Sequence, residues 1–243
     1  MGYDQVEFAG LFGHSAEEVK AICAEAGVTP ISAHVAPTQI LADIEGVVKT
    51  YADIGCKYIV IPWMNSESLP GGPKYEQFLA DIRTISAELK KYGMKLGYHN
   101  HDFEFNKIDG KNKLDILYAD TTPEELQTQI DTCWANVGGE NPSEYVKKYT
   151  GRAPLVHIKD FVGQKSNNMY GLIGGGQAED NGEAPAEPFA LRPVGYGVQD
   201  VAAILAAAEA AGAEAVIVEQ DEPALDKTPM ECAKMSIDYI KSL

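Results

Sequence analysis

The chain is short of positive charge. Its 243 residues carry 20 Lys and Arg against 36 Asp and Glu, a formal net charge of −16. Nucleic-acid binding rests largely on Lys and Arg neutralising phosphates, so this balance argues against a nucleic-acid partner. A polyphosphate ligand would need a local basic pocket, and the sequence shows none. A neutral molecule would meet no such repulsion. Apolar runs of about 18 residues are missing as well, which argues against a membrane-spanning helix. The opening residues, MGYDQVEFAGLFGH, hold no basic start followed by an apolar block. We therefore expect no signal peptide and a cytoplasmic chain. Cysteine is sparse: Cys23, Cys56, Cys133 and Cys232 are far apart and form no CxxC pair. They are expected to be reduced and mostly buried. No GxGxxG or P-loop follows any strand-like segment, which weakens a nucleotide-binding reading. With no GxSxG, and no Cys beside a strand-end His, nucleophilic triads have no support.

What the chain has instead is alternation. Strand-like segments at residues 3–9, 31–35, 58–62, 95–100, 126–131, 155–158 and 215–219 take turns with helix-like ones. The helical patterns run from Ser15 to Gly27 and over 38–54, 75–92, 113–119, 142–149, 198–211 and 229–240. This rhythm implies parallel strands joined by crossover helices. Short apolar strands such as YIVIP and AVIVE suit a sheet buried on both faces. A (β/α) barrel and an open doubly wound sheet share the pattern. The length fits one domain over residues 1–243. Only seven strands are present, where a closed barrel of this class has eight. Residues 163–192 break the rhythm and include a GGG run at 174–176. A loop this long is usually functional or disordered, and we expect a lid or substrate loop over the catalytic face.

Polar residues collect where strands end. His34 ends the second strand, His99, Asn100 and His101 the fourth, and Asp131 the fifth. His157, Lys159 and Asp160 end the sixth, and Glu219, Gln220 and Asp221 the seventh, while Glu7 lies within the first. Four of the five histidines thus stand at carboxyl ends of strands, where barrel active sites are built. Imidazole and carboxylate together suit Mn²⁺, Zn²⁺, Fe²⁺ or Co²⁺. Donors from four strands converge only if the sheet curls, so the metal and the barrel support each other. Strand alternation puts His99 and His101 on one face, and His157 and Lys159 likewise. Each residue also has a plainer reading. His34 could bond a backbone carbonyl, Asp131 could cap the turn after its strand, and Lys159 with Asp160 could be a local ion pair. Trp63 and Trp134 could be core or could stack on a sugar. His14 reads as a surface loop residue. His157, in the apolar LVHI, has the strongest functional case, because burying its ring without a partner is costly.

At these residues the chain resembles the sugar phosphate isomerase/epimerase superfamily with the xylose-isomerase-like barrel. That group includes ketose 3-epimerases and inosose dehydratases, and endonuclease IV shares the fold. The matching segments are GYDQVEFAG (2–10), YHNHDFEF (98–105), the block from Asp131 through GRAPLVHIKDF (151–161), PVGYG (193–197) and VEQDEP (218–223). The resemblance implies a TIM-type barrel. It also implies one divalent metal, Mn favoured, held by Asp131, His157, Glu219 and a fourth ligand. The family's fourth ligand is a Glu in an ENH-like motif. Here His99 takes that position, with Glu104 as the alternative. Glu219 is the implied catalytic base, assisted by His101 and Lys159. Glu7, His34, Trp63, Trp134 and Asp221 are the candidate substrate contacts.

The expected reaction is isomerisation or epimerisation of a keto-sugar or related polyol by proton abstraction beside a carbonyl. With one matching Glu in place of two, dehydration or β-elimination on the same site is the alternative. A catalytically impaired sugar-binding protein is the reading from another class. A DNA-repair endonuclease is disfavoured by the acidic charge and the five histidines. In the family, GYDxVEF follows an opening βα unit; we expect that unit to be absent here, which leaves the strands around Glu7 and residues 216–218 flanking a gap. Unpaired strand edges are a liability in any sheet, so we expect a homo-oligomer to cover this one.

Overall fold

The computed structural model describes residues 1–165, 169 and 187–243. The strands are β1 (Gln5–Phe8), β2 (Thr29–His34), β3 (Tyr58–Ile61), β4 (Lys95–His99), β5 (Lys107–Ile108), β6 (Lys111–Asn112), β7 (Gln127–Asp131), β8 (Leu155–Ile158), β9 (Asp160–Val162), β10 (Ala190–Arg192) and β11 (Ala215–Val218). The helices are α1 (Ala16–Ala26), α2 (Pro37–Ala42), α3 (Ile44–Ile54), α4 (Tyr75–Lys91), α5 (Lys113–Ala119), α6 (Thr132–Val137), α7 (Pro142–Lys148), α8 (Val201–Ala211) and α9 (Pro229–Ser242).

Among the described residues the main sheet has seven strands in the order β1-β2-β3-β4-β7-β8-β11. Every neighbouring pair is parallel. The sheet curls into a near-closed TIM-type barrel, with β1 and β11 adjacent but not hydrogen-bonded. Between them lies a cavity of about 770 Å³ lined by Gln5, Glu7, Val216, Val218, Cys232 and Ser236 among others. This is the gap expected between the Glu7 strand and residues 216–218.

Alternation along the strands sorts the core into two parts. Ile59, Ile61, Leu96, Tyr98, Ile130 and Val156 pack outward against helices, meeting Ile82, Ile85 and Leu89 of α4. Tyr58, Val60 and Leu155 form a separate cluster with Ile31, Ala215 and Ile217. That cluster fills the barrel interior, and the next inward residues toward the carboxyl ends include His34 and His157. A bulge between Val6 and Glu7 shifts the β1–β2 register, so that Glu7 lies opposite Ser32.

The helix ends follow their caps. Ser15 with Glu18, and Thr228 with Glu231, form capping boxes at α1 and α9. One helix was expected over 38–54, but there are two. Asp43 leaves the helical region (φ −154°, ψ 75°) and its carboxylate accepts from the Gly46 amide, so it starts a new helix. Helix α6, absent from the sequence reading, is capped by Asp131 itself. All four cysteines are free and buried. Among the described residues no helix is long and apolar enough to cross a membrane.

Residues 163–192 leave β9 and return on β10, which pairs with it antiparallel. The lid expected there, with its GGG run, falls largely on 166–168 and 170–186, outside the described residues.

Candidate metal centre

Four strands aim donors at one point. His99 from β4, Asp131 from β7, His157 from β8 and Glu219, just past β11, each offer a ligand atom, and these atoms lie within 4.8 Å of one another. His157 Nδ1 is 2.8 Å from Glu219 Oε2, and His99 Nε2 is 3.7 Å from Asp131 Oδ2. Asp131 does two jobs. Its Oδ1 accepts from the Trp134 amide at 3.0 Å, the cap foreseen as its plainer reading. Its Oδ2 is buried and makes no hydrogen bond among the described residues, the nearest cation being Lys159 Nζ at 3.6 Å. A buried ionised oxygen without hydrogen bonds is costly unless cations meet it. This oxygen, among two imidazoles and a second carboxylate, fits a divalent metal. Asn100 fixes Asp131 from the neighbouring strand: its Oδ1 accepts from Asp131 N–H at 3.0 Å, and its Nδ2 donates to Asp131 O at 3.2 Å.

Lys159 is the fixed cation of the site. It is 2% exposed, with Nζ 2.9 Å from Glu219, 3.2 Å from Asp221 and 3.6 Å from Asp131. Burial opposes its charge, but Glu219, Asp131 and Asp221 outweigh burial and hold it protonated. Asp160 is not its partner, contrary to the local ion pair considered above. Asp160 instead accepts from the amides of Phe161, Gly195, Gly197 and Gln199, so it pins residues 195–199 to the end of β8. A Cβ on Gly197 would sit 2.1 Å from Asp160 Oδ1, so only glycine allows this approach.

Charge in the cluster is divided unevenly. Burial works against a charged His157, yet Glu7 and Glu219 raise it to about 10. Glu7 is also buried, but His34 and His157 hold it ionised and lower it to about 2. Burial lifts Asp131 to about 6, with Lys159 pulling the other way. His99 is pushed well below its ordinary value by burial and by its neighbouring imidazoles. Glu219 stays ionised despite burial, because Lys159 and His157 flank it.

A polar layer lies beneath the donors. Glu7 Oε1 accepts from His157 Nε2 at 2.6 Å, and Glu7 Oε2 accepts from Ser32 Oγ at 2.5 Å and Gln129 Nε2 at 2.7 Å. Gln129 Oε1 faces His34 Nε2 at 2.7 Å and His99 Nδ1 at 3.1 Å. His34 therefore bonds side chains, not the backbone carbonyl of its plainer reading, and stacks on His157 with ring centroids 5.2 Å apart. Sequence reasoning missed Gln129, Ser32 and Asn100 as members of the layer or anchors. Gln129 had a signal: it is polar in a fully buried strand, two residues from Asp131 and so on the same face.

Other expected residues line the walls. His101 is buried beside His99, its Nδ1 has no hydrogen-bond partner among the described residues, and burial with Lys159 nearby lowers it to about 3. It is therefore neutral. Trp134 is buried, packs against His101 and Phe189, and lies under Lys159 Nζ, 5.3 Å from its ring. Trp63 is half-buried just past β3. Glu104 lies outside the donor group. Its carboxyl accepts from Tyr98 Oη at 2.5 Å and His101 N at 2.9 Å, tying the 101–105 turn to β4. His14 is exposed near Glu18.

Comparison with known proteins agrees with this architecture. An inosose dehydratase of Geobacillus kaustophilus is 24% identical over 185 residues, covering 66% of this chain and 58% of that protein. The match thus spans little more than half the length of that relative. A crystal structure of a sugar phosphate isomerase/epimerase from Parabacteroides distasonis superposes with a TM-score of 0.76 at 21% identity, over 100% of this chain and 88% of that one. The structure of an IOLI protein with a bound zinc atom superposes with a TM-score of 0.68 at 17% identity, over 99% and 88%. The xylose isomerase-like TIM barrel family model matches residues 1–243 in full, and the chain belongs to that family.

Proposed function

We propose that the chain is a divalent-metal-dependent enzyme that isomerises or epimerises a keto-sugar or related polyol. The observation that carries this is the His99, Asp131, His157 and Glu219 cluster with its unbonded, buried carboxylate oxygen. The names of the inosose dehydratase and the sugar phosphate isomerase/epimerase support the substrate class, and the zinc-bound relative supports a metal. When bound, a divalent ion supplies Lewis acidity to a substrate carbonyl and its neighbouring hydroxyl, and Mn²⁺ is the favoured ion.

The protein's own groups do the rest. Glu219 is the base, because it is ionised and, at 30% exposed, the most open of the four donors. Lys159 carries a permanent charge 2.9 Å from it and steadies the negative charge that develops on the substrate oxygen. His101, neutral and with Nδ1 unbonded, takes a substrate hydroxyl. Glu7, His34 and Asp221 hold these groups in place, and Trp63 borders the mouth.

Elimination of water or an alcohol from a keto-sugar is the second reading. It is favoured by one observation: Glu219 is the only Glu among the four clustered donors, and His99 stands where the resemblance calls for a second, which leaves one Glu for proton removal. A homo-oligomer covering the open edge between β1 and β11 belongs to the same proposal, and a monomer in sedimentation would remove that part.

The test is metal analysis of purified protein followed by incubation of the Mn²⁺-loaded enzyme with a panel of keto-sugars in D₂O. Deuterium should enter the carbon beside the carbonyl, and Glu219→Gln should abolish the exchange. Protein that carries no divalent metal, and catalyses no exchange after loading, would overturn the reading.

A further inference from the structure

A neutral imidazole carries one ring proton, and the nitrogen that carries it cannot ligate a metal. The tautomer of a ligand histidine is therefore set by whatever accepts its other N–H. His99 and His157 both have such an acceptor in the buried layer, and both acceptors trace to a single carboxylate on β1.

We propose that Glu7 and Gln129 are positioning residues that fix the tautomers of His157 and His99, so that His157 Nδ1 and His99 Nε2 face the metal. This rests on the metal-dependent reading above. An ionised carboxylate only accepts hydrogen bonds. Glu7 Oε1 lies 2.6 Å from His157 Nε2, so that nitrogen keeps its proton, and the Nδ1 proton facing Glu219 at 2.8 Å is the one a metal displaces. Glu7 Oε2 lies 2.7 Å from the Gln129 amide, so the NH₂ of Gln129 must point to Glu7. Its carbonyl then points the other way, 3.1 Å from His99 Nδ1, and this nitrogen must carry the proton. His99 Nε2 is left toward Asp131 Oδ2, 3.7 Å away. Ser32 Oγ, at 2.5 Å, adds a donor to Glu7 and locks its rotamer. One carboxylate thus orients two ligands, one of them through an amide.

The geometry also weighs against a second ion among His34, His99 and His157, although a nitrogen from each lies within 4.8 Å of the others. Such an ion would need both ring nitrogens of His99 and His157 as ligands, stripping each ring of its last proton. Glu7 and Gln129 already accept those protons.

Two measurements test this, with Zn²⁺ as the probe. In zinc-loaded wild type, long-range ¹H–¹⁵N spectra of the histidine rings should show His157 protonated at Nε2 and His99 at Nδ1, with the opposite nitrogens on zinc. In Glu7→Gln, an amide replaces the acceptor and confronts the Gln129 amide, so zinc affinity by calorimetric titration should fall about 10- to 100-fold. Gln129→Met should weaken zinc and disturb the His99 ring signals while leaving the His157 tautomer intact. Reversed tautomers in the wild type would overturn the proposal even if the variants fail to fold. So would a folded Glu7→Gln that binds zinc within twofold of wild type with unchanged ring signals, or one that only melts earlier. Wild type that binds no zinc would instead sink the metal-dependent reading, and this inference with it.

Discussion

Strands β3 and β11 read almost alike, YIVI and AVIV, yet their surroundings differ. All four residues of β3 are buried, and all four of β11 are half-buried. Strand β3 pairs on both edges, with β2 and β4, whereas among the described residues β11 pairs with β8 alone. Burial in a parallel sheet is thus set by neighbours that a strand's own residues do not encode. The same division runs through the candidate metal site. His99 and Asp131 come from interior strands and are 2% and 0% exposed, while Glu219 follows the edge strand and is 30% exposed. His157 joins the halves, bonded to Glu219 on one side and to Glu7 of the opposite edge strand on the other. The interior donors are closed in on all sides, and the edge carboxylate is the one left partly open.

The largest effect should come from cutting that joint. His157→Ala is expected to abolish metal binding and to destabilise the metal-free protein by about 3–5 kcal/mol, because it strips a buried carboxylate, Glu7, of one of its two imidazole partners and of the hydrogen bond that goes with it. Glu219→Ala should also lose metal but cost much less stability, since its site is more open. Metal analysis and denaturant unfolding check both. Equal destabilisation by the two variants would break the division into halves.

A second pair sharpens the strand comparison directly. Ile59→Ala in β3 should cost about 2–5 kcal/mol, the usual range for emptying a packed site. Ile217→Ala in β11 should cost less than half as much, because its surroundings are already open to the cavity beside β1. Urea midpoints decide it. Matching losses would mean that the edge is covered in solution, as an oligomer would do.

Much of this was legible in the sequence, and the rest failed for identifiable reasons. Alternating apolar segments gave seven parallel strands, and histidines and carboxylates at their ends marked where donors collect, because side-chain direction in a strand follows from position alone; the choice of His99, Asp131, His157 and Glu219 among them came from the family resemblance. Roles that depend on a cross-strand neighbour were not legible. Asp160 follows Lys159 in the chain, but three of its four amide partners lie 35 to 39 residues away. Trp134 stands just past a strand end, yet its ring is covered by His101 and Phe189 from other segments. The break at Asp43 was hidden because α2 and α3 keep a helical pattern on both sides of it.

The joint also predicts a pH dependence. His157 in the metal-free fold titrates at about 10, above its ordinary 6.5, and binding must displace its Nδ1 proton. Apparent Zn²⁺ or Mn²⁺ affinity should therefore rise about tenfold per pH unit between pH 7 and 9 and level off near 10. The metal-free protein should show the reverse trend. A raised histidine stabilises fully below 6.5 and loses that contribution as pH rises through about 10. Glu7, lowered to about 2 from 4.5, contributes above 4.5 and loses its share as pH falls through about 2. The pair is worth most between 4.5 and 6.5. Affinity that is flat from pH 7 to 9 would mean that His157 is already neutral.

The smallest expected effect lies wholly in the interior half, at Glu104. Burial raises this carboxyl to about 8, despite the donors from Tyr98 and His101. An acid raised in the fold is a stability term with the opposite sign to that of Glu7. Between 4.5 and 8 the unfolded chain gives up its proton more readily, so stability declines as pH rises through that window. Glu104→Gln removes the titration but turns an NH₂ toward one of the two donors, a pH-independent cost of about 1–3 kcal/mol. The variant should therefore melt well below wild type at pH 5 and close part of that gap by pH 8, as read from Tm at both values. A gap that stays constant would mean that Glu104 is ionised at neutral pH, and its place on the β4 side would then need a cation as much as Asp131 does.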